Sequence, residues 1–113
     1  MHEISLAEEV LRIIEESSVQ EGFVQVRSFT LEVGQLAGVD PQALSFALEH
    51  VGSGSIIEGA KIDLQPLPGS GYCASCKMRV PLDFALAPCH QCGQQPLAKL
   101  KGNDLRLLHL DVV

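Results

Sequence analysis

Four cysteines fall in two C-x2-C pairs, Cys73 with Cys76 and Cys89 with Cys92, separated by twelve residues. Two residues between thiols let one tight turn present both sulfurs to a single ion, and two such turns complete an all-thiolate zinc site. Gly93 follows Cys92 where such a turn favours positive φ, and Pro88 stiffens the approach to Cys89. About thirty residues cannot bury a core of their own, whereas a bound ion supplies roughly 10 to 16 kcal/mol in small zinc modules. The expectation is one structural Zn2+ held by Cys73, Cys76, Cys89 and Cys92. Four thiolates around Zn2+ carry a net charge of about −2, which Lys77, Arg79, Lys99 and Lys101 are near enough in sequence to offset. Two disulfides, an iron-sulfur cluster and a redox pair stay open as alternatives. His90 reads as a surface residue, with a replacement ligand as its alternative.

A second set of donors sits at the start of the chain, Met1-His2-Glu3. The amine, the His2 amide and imidazole and the Glu3 amide lie within one short segment and can close fused chelate rings. Deprotonated amides with imidazole suit the square-planar geometry favoured by Ni(II) or Cu(II). The bulk of His2 predicts that the initiator Met is retained.

The elements that must position these groups read as an α+β fold, two helices on a small sheet of about three strands, with the cysteine segment inserted. Ser5-Leu6-Ala7-Glu8 has the form of a capping box and starts a helix near Ser5, leaving residues 1 to 4 outside it. Leu6, Val10 and Ile13 with Ala7, Leu11 and Ile14 give that helix its apolar face. Gly22 to Gly34 reads as a strand whose apolar phase switches near Ser28, implying a bulge or two partly buried faces. Asp40-Pro41 is an N-cap with Pro at the first helical position, opening a second helix that ends at Gly52. Lys61 to Leu67 reads as a strand, and Leu105 to Val113 as another after the Gly102-Asn103-Asp104 turn. The implied domains are 1–69 plus 102–113, the α+β part that carries the terminal donors, and 70–101, the zinc-knuckle part.

Composition narrows the function. The net charge of −6 divides unevenly: residues 1 to 60 hold ten acids against Arg12 and Arg27, while residues 61 to 113 hold six bases against four acids. An acidic first half and 4% aromatic content argue against a nucleic-acid surface, although a zinc-ribbon adaptor for nucleic acid is the alternative that the four bases of the cysteine segment support. Apolar runs are too short to span a bilayer, and the acidic start lacks the form of a secretory signal, so a cytoplasmic protein is expected. His50, His109 and the cysteines lie in no catalytic motif, and His109 reads as a packing residue of its strand; no enzyme is expected.

Taken together, MHEISLAEEVLRIIE, VGQLAGVDPQALSFALE, GSGSIIEGAKIDL, CASC, CHQC and GNDLRLLHLDVV resemble the HypA/HybF family of nickel metallochaperones for [NiFe]-hydrogenase maturation, over essentially the whole chain. The resemblance implies His2, with the Met1 amine and the His2 and Glu3 amides, as the site of Ni2+ as transferred cargo. The Glu3 carboxylate is left between a nickel contact, a partner contact and plain solvation. The implied partners are a HypB-type GTPase and the hydrogenase large-subunit precursor, with urease maturation proteins open as a further one, and neither nucleic acid nor membrane. Gln35 stands where the family more often has an acid, and CHQC lacks the Pro common after its first cysteine. Neither departure removes a ligand.

Overall fold

A computed structural model describes residues 3–84, 86–95, 97–102 and 104–113, with the side chain of Lys99 left out. The elements run α1 (Glu3–Glu21), β1 (Val26–Gly34), a 3-10 turn (Gln35–Ala37), α2 (Pro41–Val51), β2 (Lys61–Leu67), β3 (Gly69–Cys73), β4 (Met78–Leu82), β5 (Ala98–Lys101) and β6 (Leu105–Val112). Two three-stranded sheets result, in the orders β2-β1-β6 and β4-β3-β5. The fold is α+β, with two helices, a three-stranded sheet and a four-cysteine module, as expected.

The chain divides into two compact units, one of Met1–Leu31, Val39–Leu64 and Leu107–Val113, the other of Glu32–Gly38 and Gln65–Arg106. In the first unit α1 packs on α2. Ala7, Val10 and Ile14 are buried along one stripe of α1, as are Leu44, Ala47 and Leu48 of α2. Arg12 lies on the solvent side of α1 between Glu9 and Glu16. Gly22, at φ +83, closes the helix as its amide donates to the Ser18 carbonyl.

The structure corrects the expected start of α1. Glu3 is already helical, so Ser5 lies inside the first turn instead of capping it. A carboxylate in the first turn suits the partial positive charge of the helix N-terminus, and that of Glu3 also accepts from the Asp40 amide at 3.3 Å. Asp40 behaves as read: its Oδ1 accepts from the amides of Gln42 and Ala43 at 3.0 and 3.5 Å, ahead of Pro41. β2 has the expected bounds, whereas β1 starts at Val26 and Val24 is 78% exposed. The phase switch is visible within β1, where Val26 is buried and burial resumes three residues later at Phe29, Leu31 and Val33. His109 lies exposed on β6, outside any packed core, because the strand's alternation turns that position to solvent.

The second unit has strands and a small core that composition did not announce. Leu36, Cys73, Val80, Leu82, Ala87, Cys89 and Leu97 form one buried cluster, with Cys76 packed against it. Inward positions of β3 are Gly69, Gly71 and Cys73, small residues that let Leu36 and Leu82 fill the space above them. A Cβ on Gly69 would lie 2.6 Å from the Cγ of Leu36. Three hydrogen bonds seat the 3-10 turn here: Leu36 N to Gly102 O at 2.6 Å, Gly34 N to Asp104 O at 2.9 Å, and Gly69 N to Gln35 Oε1 at 3.3 Å. Gln35, the departure noted in the sequence, thus supplies a neutral acceptor for a backbone amide.

Candidate metal centre

β3 ends at Cys73 and β4 begins at Met78, so the first cysteine pair occupies the turn between two antiparallel strands, Cys73 facing Met78 in register. Cys76 N approaches Cys73 Sγ at 3.4 Å, an amide-to-sulfur contact that draws the turn around its own sulfur. Lys77 then takes φ 55, a left-handed conformation unusual for a residue with a Cβ. The second pair repeats the turn: Gly93 N donates to Cys89 O at 2.8 Å, and Gly93 has φ +76, the conformation expected of it.

One residue ties the two turns together, by its backbone oxygen on one side and its side chain on the other. Gln94 accepts from Cys89 N through its carbonyl at 2.9 Å, while its Oε1 accepts from Ser75 N at 3.2 Å and lies 3.8 Å from Cys73 Sγ. Sequence reasoning missed Gln94. The available signal was its place directly after the second turn's glycine, where a side chain returns toward the partner turn.

The four Sγ atoms converge to within 4.8 Å of one another, and among the described residues no other group of His, Cys, Asp or Glu does so. Cys73 and Cys92 are 3.5 Å apart, Cys76 and Cys89 3.9 Å. A tetrahedral ion bonded to sulfur at about 2.3 Å requires sulfurs about 3.8 Å apart. The donor set therefore fits one ion with four thiolate ligands. All four thiols are free, so paired disulfides are not present. A multi-iron cluster would hold its ligating sulfurs farther apart than these. His90 is exposed and outside the group.

The thiols are chemically unequal. The amides of Cys92 and Gln91 favour the thiolate of Cys89 and bring it down to about 6. Hydrogen bonding with Cys92, followed by burial, pushes Cys76 up to about 12. Cys73 and Cys89 are buried whereas Cys92 is exposed, so the cluster meets solvent on the Cys92 side.

The bases assigned to offset the cluster's charge are not all aimed at it. Cys73 faces inward on β3, and Arg79 stands across from Tyr72 on the opposite, exposed face. Met1 and His2, the proposed nickel donors, lie outside the described residues. Glu3 is described, half-buried at the first turn of α1 and bonded to Asp40 N.

A family described as "Hydrogenase/urease nickel incorporation, metallochaperone, hypA" matches residues 1–112. The chain belongs to the HypA family. Hydrogenase maturation factor HypA of Albidiferax ferrireducens is 38% identical over 112 residues, covering 99% of each chain. HypA of Paracoccus denitrificans is 40% identical over 113 residues and covers all of both. The HypA fold is seen in the solution structure of the Ni metallochaperone HypA from Helicobacter pylori, with a TM-score of 0.73 at 20% identity over 100% of this chain and 98% of that one. Among the described residues no helix is long and apolar enough to cross a membrane.

Proposed function

We propose that this chain is a nickel carrier that delivers Ni2+ for maturation of the [NiFe]-hydrogenase large subunit and keeps a separate zinc ion in its cysteine cluster. The observation that carries the reading is the HypA-family match along residues 1–112, spanning both the MHE start and the cysteine pairs. Nickel is cargo, held by the Met1 amine, the His2 amide and imidazole, and the Glu3 amide. Such nitrogen donors at a chain terminus leave faces open to a recipient's ligands, which favours transfer. Zn2+ would be held by Cys73, Cys76, Cys89 and Cys92, where four thiolates and a closed shell favour retention and structural rigidity. Sequence assigns the two metals to 1–69 plus 102–113 and to 70–101 respectively.

The Glu3 carboxylate has a further role in this reading. By accepting from Asp40 N it fixes the third residue of the nickel segment to the N-terminus of α2, which restricts where the amide donors can stand. The carrier works in the cytoplasm with a HypB-type GTPase and the hydrogenase precursor, and performs no catalysis of its own. Urease maturation proteins would receive the same ion by the same donor set.

Three proteins test this: the chain with an authentic Met1, its His2→Ala variant, and a version extended at the N-terminus, each assayed for nickel and zinc. Loss of nickel with zinc retained in the latter two is expected. Undiminished nickel binding by His2→Ala would remove the proposed site. Nickel affinity should also fall on acidification, because amides and imidazole must shed protons to bind.

A further inference from the structure

The four arginines are not used alike. Arg12 pairs with Glu9 and Glu16, Arg27 lies 3.1 Å from Asp111, and Arg106 lies 3.8 Å from Glu32. Arg79 has no ion pair among the described residues, nor has Lys101. Both belong to the outward face of the β4-β3-β5 sheet. In register, Arg79, Tyr72 and Ala98 form one row across it, and Pro81, Ser70 and Lys101 the next. Neither row contains a carboxylate, and Tyr72 at its centre is 42% exposed.

Two further observations bear on what fits there. β5 pairs with β3 on one side, and no described strand pairs with its other edge, so backbone donors and acceptors remain for an added extended chain. Leu100, set at the irregularity between the two rows and 44% exposed, lines a cleft of about 300 Å3 with Leu67, Lys101, Asp104 and the Arg106–Glu32 pair. The face thus combines two cations without an ion pair among the described residues, an aromatic ring, an open strand edge and a cleft of mixed polarity whose apolar wall is Leu67 and Leu100, with Asp104 its one carboxylate not engaged by Arg106.

We propose that this face docks an extended, acidic protein segment, with carboxylates at Arg79 and Lys101 and an apolar side chain in the recess beside Leu67 and Leu100. Charge complementarity selects the occupant. A nucleic acid is disfavoured because its phosphates need a track of cations and its bases need successive aromatic platforms, while the rows offer two cations and one ring. The chain's net charge of −6 adds repulsion toward any long polyanion. A short acidic segment feels mainly the local field, since charges beyond about 8 to 10 Å are screened at physiological salt. The proposal concerns how a partner is held and stands whichever metal is carried.

The test uses the zinc-loaded full chain and a fluorescent peptide alternating Glu and Val, read by anisotropy at low and moderate salt. Binding is expected to weaken with salt, to weaken with Gln replacing Glu in the peptide, and to drop about tenfold or more in Arg79→Glu/Lys101→Glu. Arg79→Gln/Lys101→Gln should shift in the same direction, Tyr72→Ala should bind less tightly, and Arg27→Glu, on the other unit, should leave binding unchanged. Zinc content and circular dichroism of each variant verify the fold. Unaltered peptide binding by both double variants would overturn the proposal, as would the absence of peptide binding at low salt or tighter binding of an oligouridylate than of the peptide.

Discussion

Cys89 and Gln94 bear most directly on how the cysteine cluster would capture the zinc ion proposed for it. With its thiol brought down to about 6 by the amides of Cys92 and Gln91, Cys89 is ionised near neutrality before any metal arrives. The unfolded thiol titrates near about 8.5, so this lowered group contributes stability fully above that pH and loses it as pH falls through about 6. Zinc-free protein kept cold should therefore lose stability across that window, and Cys89→Ser should flatten this part of the profile in thermal melts at stepped pH. Cys76 acts oppositely: raised to about 12, its contribution is complete below the unfolded value and disappears as pH rises through about 12. Gln94 acts through geometry. Removing its amide in Gln94→Ala leaves Ser75 N without its acceptor and should cost about 1 kcal/mol, seen as faster zinc transfer to a colorimetric chelator.

Two elements decide how the chain enters its two units. α2 depends on Asp40, whose side chain takes two amides of the first turn, so Asp40→Ala should destabilise by about 1 kcal/mol in urea unfolding while Asp40→Asn costs little. The 3-10 turn depends on β3 having no side chain at Gly69. In Gly69→Ala the new methyl meets Leu36 at 2.6 Å and the backbone oxygen of Leu82 at 2.8 Å, and a loss of about 1 to 3 kcal/mol is expected. A double-mutant cycle with Leu36→Ala isolates the Leu36 share of this clash, because the smaller residue at 36 removes that contact and makes the two penalties less than additive, while the contact with the Leu82 oxygen remains. α2 was legible from sequence because a cap is a contact between near neighbours. The role of Leu36 was not, since its partners Val80, Leu82 and Leu97 are separated from it by dozens of residues. The strands of the cysteine segment escaped notice for a related reason: glycine and cysteine fill the inward positions where an alternation of large apolar residues is normally sought.

For the whole molecule, the different make-up of the two units predicts an uneven response to removal of the proposed zinc ion. The core of the second unit is partly made of the cysteines themselves, while that of the first consists of buried apolar residues of α1, α2 and β1 such as Ile14, Leu44 and Phe29. Chelation of zinc should lower the unfolding midpoint of the second unit and leave the helical circular dichroism signal in place; simultaneous loss of both would show that the first unit depends on the ion. Sequence alone determined the pairing of the four cysteines in two turns, the caps of α2, the α+β class and the family resemblance, because each rests on residue type or short spacing. Tertiary structure alone decided that Glu3 is helical and bonded to Asp40, that Leu36 and Gln94 serve the cysteine unit, and that Arg79 turns away from the thiols toward solvent. Those outcomes depend on which strands pair and in what register, and register is set by long-range packing that the spacing of neighbours along the chain does not encode.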